Sequence, residues 1–158
     1  MASLNEPLVL DTLTVGKTIN LPEKAVPASK VIHQFAVHYA QAGGSDVVVA
    51  TFPIHTCYKD GTLVAVEVTP LVAPTGGDKA FTVDVQKGNQ AGAFATVLSS
   101  VVTINNTKAD RQVVAGSLST TALADGDTLE VVIAVSGTTG SQGQGALITV
   151  TIQENPVT

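Results

Sequence analysis

Between Ala124 and Glu154 the chain reads ADGDTLEVVIAVSGTTGSQGQGALITVTIQE, two apolar, β-branched runs joined by a Gly/Ser/Gln/Thr loop. Val, Ile and Thr are stiff at χ1 and suit a pleated surface, whereas the bridging glycines suit a loop leaving a strand. The pattern predicts two long strands, at 128–136 and 146–153, folded back on each other, with Asp125-Gly126-Asp127 as the turn before them. The same alternation runs upstream. From Val31 to Gln41, His33, Phe35, Val37 and Tyr39 share one face, and Ile32, Gln34, Ala36 and His38 the other. Strands at 45–51 and 54–58 follow, then Lys59-Asp60-Gly61, whose Asp-Gly between apolar runs is a hairpin signal. A strand at 62–72 ends in the loop Ala73–Asp78, and the next places Phe81, Val83 and Val85 inward with Thr82, Asp84 and Gln86 outward. After the Gly88–Gly92 loop come strands at 94–98, 101–104 and 111–118, and Ser119–Ala124 has room for one helical turn. A period of two with no amphipathic helix of useful length predicts an all-β protein, an antiparallel β-sandwich of about eight strands in two facing sheets.

The first 28 residues differ. Pro7, Pro22 and Pro27 bracket weakly alternating segments, Leu8-Val9-Leu10 and Val15–Leu21. Proline lacks a backbone donor and is confined to sheet edges or coil. Residues 1–28 therefore read either as an extended arm, with at most one edge strand, or as a strand that pairs within the sandwich. We take 1–28 as an N-terminal extended arm and 29–158 as one sandwich domain, since 158 residues suffice for one good hydrophobic core.

Composition narrows the functional classes. Apolar residues make up 44% and charged residues 13%, about half the usual charged share of a soluble domain. A chain this poor in charge hides surface against other chains, which favours an oligomer. Net charge is −5, and Lys17, Lys24, Lys30, Lys59, Lys79, Lys87, Lys108 and Arg111 are scattered, so no nucleic-acid partner is expected. Four Phe, two Tyr and no Trp count against sugar stacking of the lectin kind. One cysteine, Cys57, excludes an intramolecular disulfide framework, leaving core burial or assembly to stabilise the fold. The beginning MASLNEPLVLD lacks the basic and apolar regions of a signal peptide, and no apolar run is long enough for a membrane helix. Synthesis in a cytosol and no membrane partner are the expectations.

Candidate chemistry is sparse. His55 and Cys57, two apart on a strand, share a face, and His33 or His38 would have to join them to approach a tetrahedral zinc set. No Gly-x-Ser-x-Gly elbow marks a nucleophile. Asp125 and Asp127 flank Gly126 as turn residues whose side chains bond local backbone N–H groups, without the ligand density of a calcium loop. The Gly137–Gly145 stretch superficially resembles a phosphate loop, but a strand follows at Ala146 where a helix would be needed. It reads as a flexible polar tip. We expect no catalytic, cofactor-binding or metal-binding residues, no cofactor and no enzyme.

From Phe81 to Glu154 the order is a Phe-Thr-Val-Asp-Val-Gln-Lys strand, a Gly/Ala loop, Val-Leu-Ser-Ser, Leu-Ser-Thr-Thr-Ala-Leu, then Ala-Asp-Gly-Asp-Thr-Leu-Glu-Val-Val and a Gly-rich loop before the last strand. Over this half of the chain the pattern resembles the jelly-roll or β-sandwich virion structural proteins of tailed bacteriophages, most of all capsid decoration (cement) proteins. The resemblance implies a jelly roll, a homotrimer, the major capsid protein as partner, and a place on the capsid surface after synthesis in the host cytoplasm. The alternative it implies is a tail-fibre or baseplate adhesin with the 137–145 loop touching a receptor. An extended arm of this length reaches up to about 90 Å at about 3.3 Å per residue, enough to cross between subunits.

Overall fold

The computed structural model describes residues 33–89 and 92–154. The proposed arm 1–28 and its boundary with the domain lie outside them. Ten strands form: β1 (His33–Asp46), β2 (Ala50–Thr56), β3 (Gly61–Val72), β4 (Ala80–Gly88), β5 (Ala95–Thr96), β6 (Val102–Asn105), β7 (Val114–Ala115), β8 (Ala122–Leu123), β9 (Thr128–Ser136) and β10 (Gln144–Glu154). One sheet has the order β1-β10-β3-β7 with β8 also on β3, and the other β2-β9-β4-β5 with β6 also on β4. The short strands β5/β6 and β7/β8 thus fill one position each, giving the eight-position sandwich that the periodicity predicts. All the pairings are antiparallel.

The pairing is nested: β1 with β10, β2 with β9, β3 with β7 and β8, β4 with β5 and β6. The chain is one long antiparallel ribbon closed at the β4–β5 end and rolled so that successive positions alternate between sheets. That is the jelly-roll arrangement. Two expected hairpins are therefore corners. The 128–136 and 146–153 strands form, but β9 and β10 lie in opposite sheets, and the Asp60-Gly61 turn carries the chain from β2 across to β3. Turn residues report a reversal of direction; they do not report whether the chain returns on the same sheet or the facing one.

Two further expectations are corrected. The strands expected at 45–51 and 54–58 are divided differently: residues 45 and 46 end β1, and 50–56 form one strand, β2, which runs through Pro53 with a register shift between Pro53 and His55. Pro53 is tolerated because β2 is an edge strand, with β9 alone beside it. Ser119–Ala124 contributes β8 in place of a helical turn: Thr62 and Gly61 pair with Ala122 and Leu123, and that ladder outweighs any local helical preference.

The core lies between the sheets. Phe81, Val83 and Val85 of β4, Leu129, Val131 and Ile133 of β9, and Ile148, Val150 and Ile152 of β10 are buried on the alternating positions. On β3 the parity changes once. Ala65 pairs Thr151 and Leu63 pairs Ile152, so Val64 is the extra residue of a bulge. The bulge lets Leu63 and Val66 both point inward and turns Val64 out. Phe81 is the largest fully buried side chain and touches the level of Gly143, where a Cβ would stand 3.1 Å from its ring. Phe81→Ala is expected to cost about 3–5 kcal/mol by transfer and cavity terms together, measured as a shift in the denaturant midpoint at constant m-value.

Candidate interaction surface

The residues nominated for chemistry are dispersed. Cys57 is buried just past the end of β2, its N–H donating to the Asp127 carbonyl at 2.7 Å. Burial, reinforced by the Asp127 carboxylate, pushes its thiol up to about 11, so it packs as a small apolar group. His55 is half-buried against Phe35, while His38 is exposed on the other face of β1 and bonds Thr149 Oγ1 at 3.1 Å. The side chain of His33 lies outside the described residues. Among the described residues no group of three or more His, Cys, Asp or Glu is placed to share a metal ion. Asp127 bonds its local backbone as the turn reading expects: its Oδ2 accepts from Ala124 N at 2.8 Å. The same oxygen meets Lys87 Nζ at 3.3 Å, so an ammonium already neutralises it.

The 137–145 loop is not a free tip. Thr75 and Ser141 exchange backbone hydrogen bonds at 2.9 and 3.0 Å. Asp78 Oδ1 accepts from Thr138 N at 2.8 Å and Thr139 N at 2.7 Å, and these bonds hold its carboxyl below the usual carboxylate range. Gln142 is buried and donates to the Ala80 carbonyl at 3.2 Å. The polar composition that reads as flexibility is spent on fastening a corner.

What the sequence reading missed is a seam. β1 and β2 are the edge strands of their sheets and lie next to each other along one open side of the sandwich. Two ring contacts close that side: Phe35 meets His55 edge-on at 5.3 Å between centroids, and Tyr39 meets Phe52 at 5.1 Å. Three of the six aromatic residues of the chain therefore stand on this seam. Phe35 and Tyr39, four apart on β1, share its inward face, and the bulge at Ile54 brings both Phe52 and His55 of β2 toward them. Phe52 is nevertheless 52% exposed, and Val48 and Val49 beside it are 59% and 67% exposed. Gln41 fixes this segment by bonding both the N–H and the carbonyl of Val48 at 2.9 Å. Aromatic residues at the centre of an exposed apolar patch are what protein interfaces use as anchors.

The outer face of the β1-β10-β3 sheet is a second surface poor in charge. Its cross-strand rows run Ala36–Thr151–Ala65, His38–Thr149–Glu67 and Ala40–Leu147–Thr69, so Glu67 is the single carboxylate among them. Val64, Leu71 and Leu147 are exposed there. Small, hydroxyl-bearing and apolar side chains on a flat sheet form a surface that loses little hydration when covered.

No protein-family model and no curated protein sequence matches the chain. Among solved structures it is similar to a CocE/NonD family hydrolase from Staphylococcus aureus, with a TM-score of 0.38 and 13% identity over 80% of this chain and 33% of that one. A second structure of a CocE/NonD family hydrolase from the same organism gives 0.34 and 12% over 81% and 37%. Infectious bursal disease virus, Gt strain, gives 0.31 and 13% over 90% and 43%. The chain thus spans a third to under half the length of these chains. Sandwiches host many unrelated functions, so the function is argued from this chain's own surface.

Two outcomes follow from the fastened corner and the seam. Asp78→Ala is expected to open the Thr138–Thr139 backbone to protease and to amide exchange while the core strands stay protected; in the wild type this contribution is present above the ordinary carboxylate pKa and lost as pH falls through the lowered value. His55 is held below its ordinary 6.5 by burial, partly offset by the Glu154 carboxylate, and its Nε2 has no hydrogen-bond partner among the described residues. The unfolded chain then binds the proton more readily, so stability should fall as pH drops below about 6.5, and His55→Phe should flatten that part of a melting-temperature profile.

Proposed function

We propose that this chain is a non-enzymatic virion structural protein, a capsid decoration protein that binds the outer surface of a phage head and stabilises capsomer junctions. The observation that carries this reading is the pair of exposed apolar surfaces, the seam at Val48, Val49 and Phe52 and the outer face of the β1-β10-β3 sheet with its single carboxylate in the cross-strand rows. The pattern likeness of Phe81–Glu154 to decoration proteins supports it independently. The mechanism is passive. A rigid body buries apolar surface against its neighbours at roughly 25 cal/mol per Å2, and that burial is lost if the shell expands or ruptures. The partner is the major capsid protein, the copies form a homotrimer, and the arm ahead of the sandwich adds contact without enlarging the body's footprint. A tail-fibre or baseplate adhesin would rest on an adaptable 137–145 loop, and the bonds from Asp78 and Thr75 do not favour one.

Deleting residues 2–28 is expected to leave a sandwich with an unchanged β-sheet circular dichroism spectrum that no longer co-sediments with capsids. Full particle binding by the truncated chain would overturn the arm-borne attachment.

A further inference from the structure

On the outer face of the β1-β10-β3 sheet, where β1 slips register between Gln41 and Asp46, lies an apolar trough of about 330 Å3. Ala40, Leu71, Leu147 and Pro70 line it, with two glycines, Gly43 and Gly145, packed so tightly that a Cβ on Gly43 would stand 2.4 Å from Leu71 Cδ2. The one cationic group in its lining is Arg111. Arg111 is also the single non-glycine residue with positive φ among the described residues, at 59°. A side chain-bearing residue is held there only when its surroundings over-determine it. Here Arg111 N donates to the Pro70 carbonyl at 2.9 Å, and the neighbouring Asp110 accepts from Ala73 N at 2.9 Å. These bonds tack the loop before β7 onto the end of β3 and set the arginine on the lip of the trough. Among the described residues, Arg111 forms no ion pair. An apolar trough with an arginine held by its backbone at the edge is complementary to an extended apolar segment that carries a carboxylate.

We propose that this trough receives the segment Glu6–Asp11 of a second copy of the chain, an inference that rests on the arm-borne attachment proposed above. Glu-Pro-Leu-Val-Leu-Asp sets four apolar residues between two carboxylates, so either end can meet Arg111 while the middle fills the trough. Thirty-two residues precede His33, and His33 pairs with Glu154 at the far end of β1 from the trough. Residues 12–32 span up to about 70 Å when extended, which brings the trough of a neighbour within reach. Exchange of arms between copies links the trimer by tethers as well as by faces.

The full-length chain tests this without capsids, so the result is separate from particle binding. Arg111→Gly removes the guanidinium and relaxes the backbone, so it should keep or raise the melting temperature. It is expected to weaken self-association about tenfold or more in sedimentation velocity, the scale of losing a charge-assisted hydrogen bond. Arg111→Glu should do the same, and combining it with Glu6→Lys and Asp11→Lys should restore association. A purely structural role for Arg111 predicts unaltered association for the glycine variant, and that result overturns the proposal. As a second arm, Leu8→Cys chains mixed with Leu71→Cys chains under mild oxidation should give a disulfide-linked pair. Absence of that pair while the oligomer persists also overturns it.

Discussion

The constraint on which the structure depends is that the pairing between the two halves of the ribbon continues through its corners. Where the chain crosses from one sheet to the other, the turn it makes is bonded to the crossing that its partner strand makes. Val47 N donates to the Gly143 carbonyl between the β1–β2 and β9–β10 crossings. Cys57 and the Gly126–Asp127 turn exchange two bonds between the β2–β3 and β8–β9 crossings. Buried backbone groups must be paired, and a rolled ribbon meets that demand only if its corners are laddered like its strands. Two glycines show how close the approach is. A Cβ on Gly137 would lie 2.2 Å from the Asp78 carbonyl, and one on Gly140 2.4 Å from that of Gly76, both at positive φ.

Rolling the ribbon leaves two open sides, and they are finished differently. On one, the two-residue strands β5, β7 and β8 are too short to offer a template to another chain. On the other, β1 and β2 are longer edges, and the Phe35–His55 and Tyr39–Phe52 contacts bridge the sheets between them. Placing the aromatic residues here concentrates apolar area at the side where a neighbour can cover it. In a core of Val, Ile and Leu on β3, β4, β9 and β10, Phe81 is the one fully buried aromatic ring among the described residues, and Phe35 and Tyr39 pack against that core from β1.

How much of this was legible depends on the range of the signal. Alternation located β3, β4, β9 and β10 nearly to their ends, and β1 as far as Gln41, because the inward face of a strand is written at a period of two. The Asp125-Gly126-Asp127 turn was legible for the same reason: its bonds are local. Whether β9 and β10 pair with each other or with β2 and β1 is decided by contacts across the whole chain, and nothing in the GTTGSQGQG loop encodes it. The seam was hidden likewise. Phe35 and Tyr39 read as ordinary inward residues, and their meeting with His55 and Phe52 needs both the crossing and the bulge at Ile54. Arg111, one scattered cation among eight in the sequence, gains its meaning from the backbone around it.

The acidic character of the chain can now be placed. Asp60 accepts from Asp125 N, Asp78 from Thr138 and Thr139 N, Asp110 from Ala73 N and Asp127 from Ala124 N. Four aspartates thus fasten the crossings between strands, doing with side-chain oxygen what the ladder cannot do where the backbone turns. With these four carboxylates at the corners, the cross-strand rows on the outer face of the β1-β10-β3 sheet carry only Glu67 as a carboxylate. A partner covering that face then displaces water from apolar and hydroxyl groups and strips few ions of hydration, which is the condition for broad, passive contact. The low charge of the chain and the strength of its corners are in this sense one design: the groups that close the fold are the groups kept off its faces.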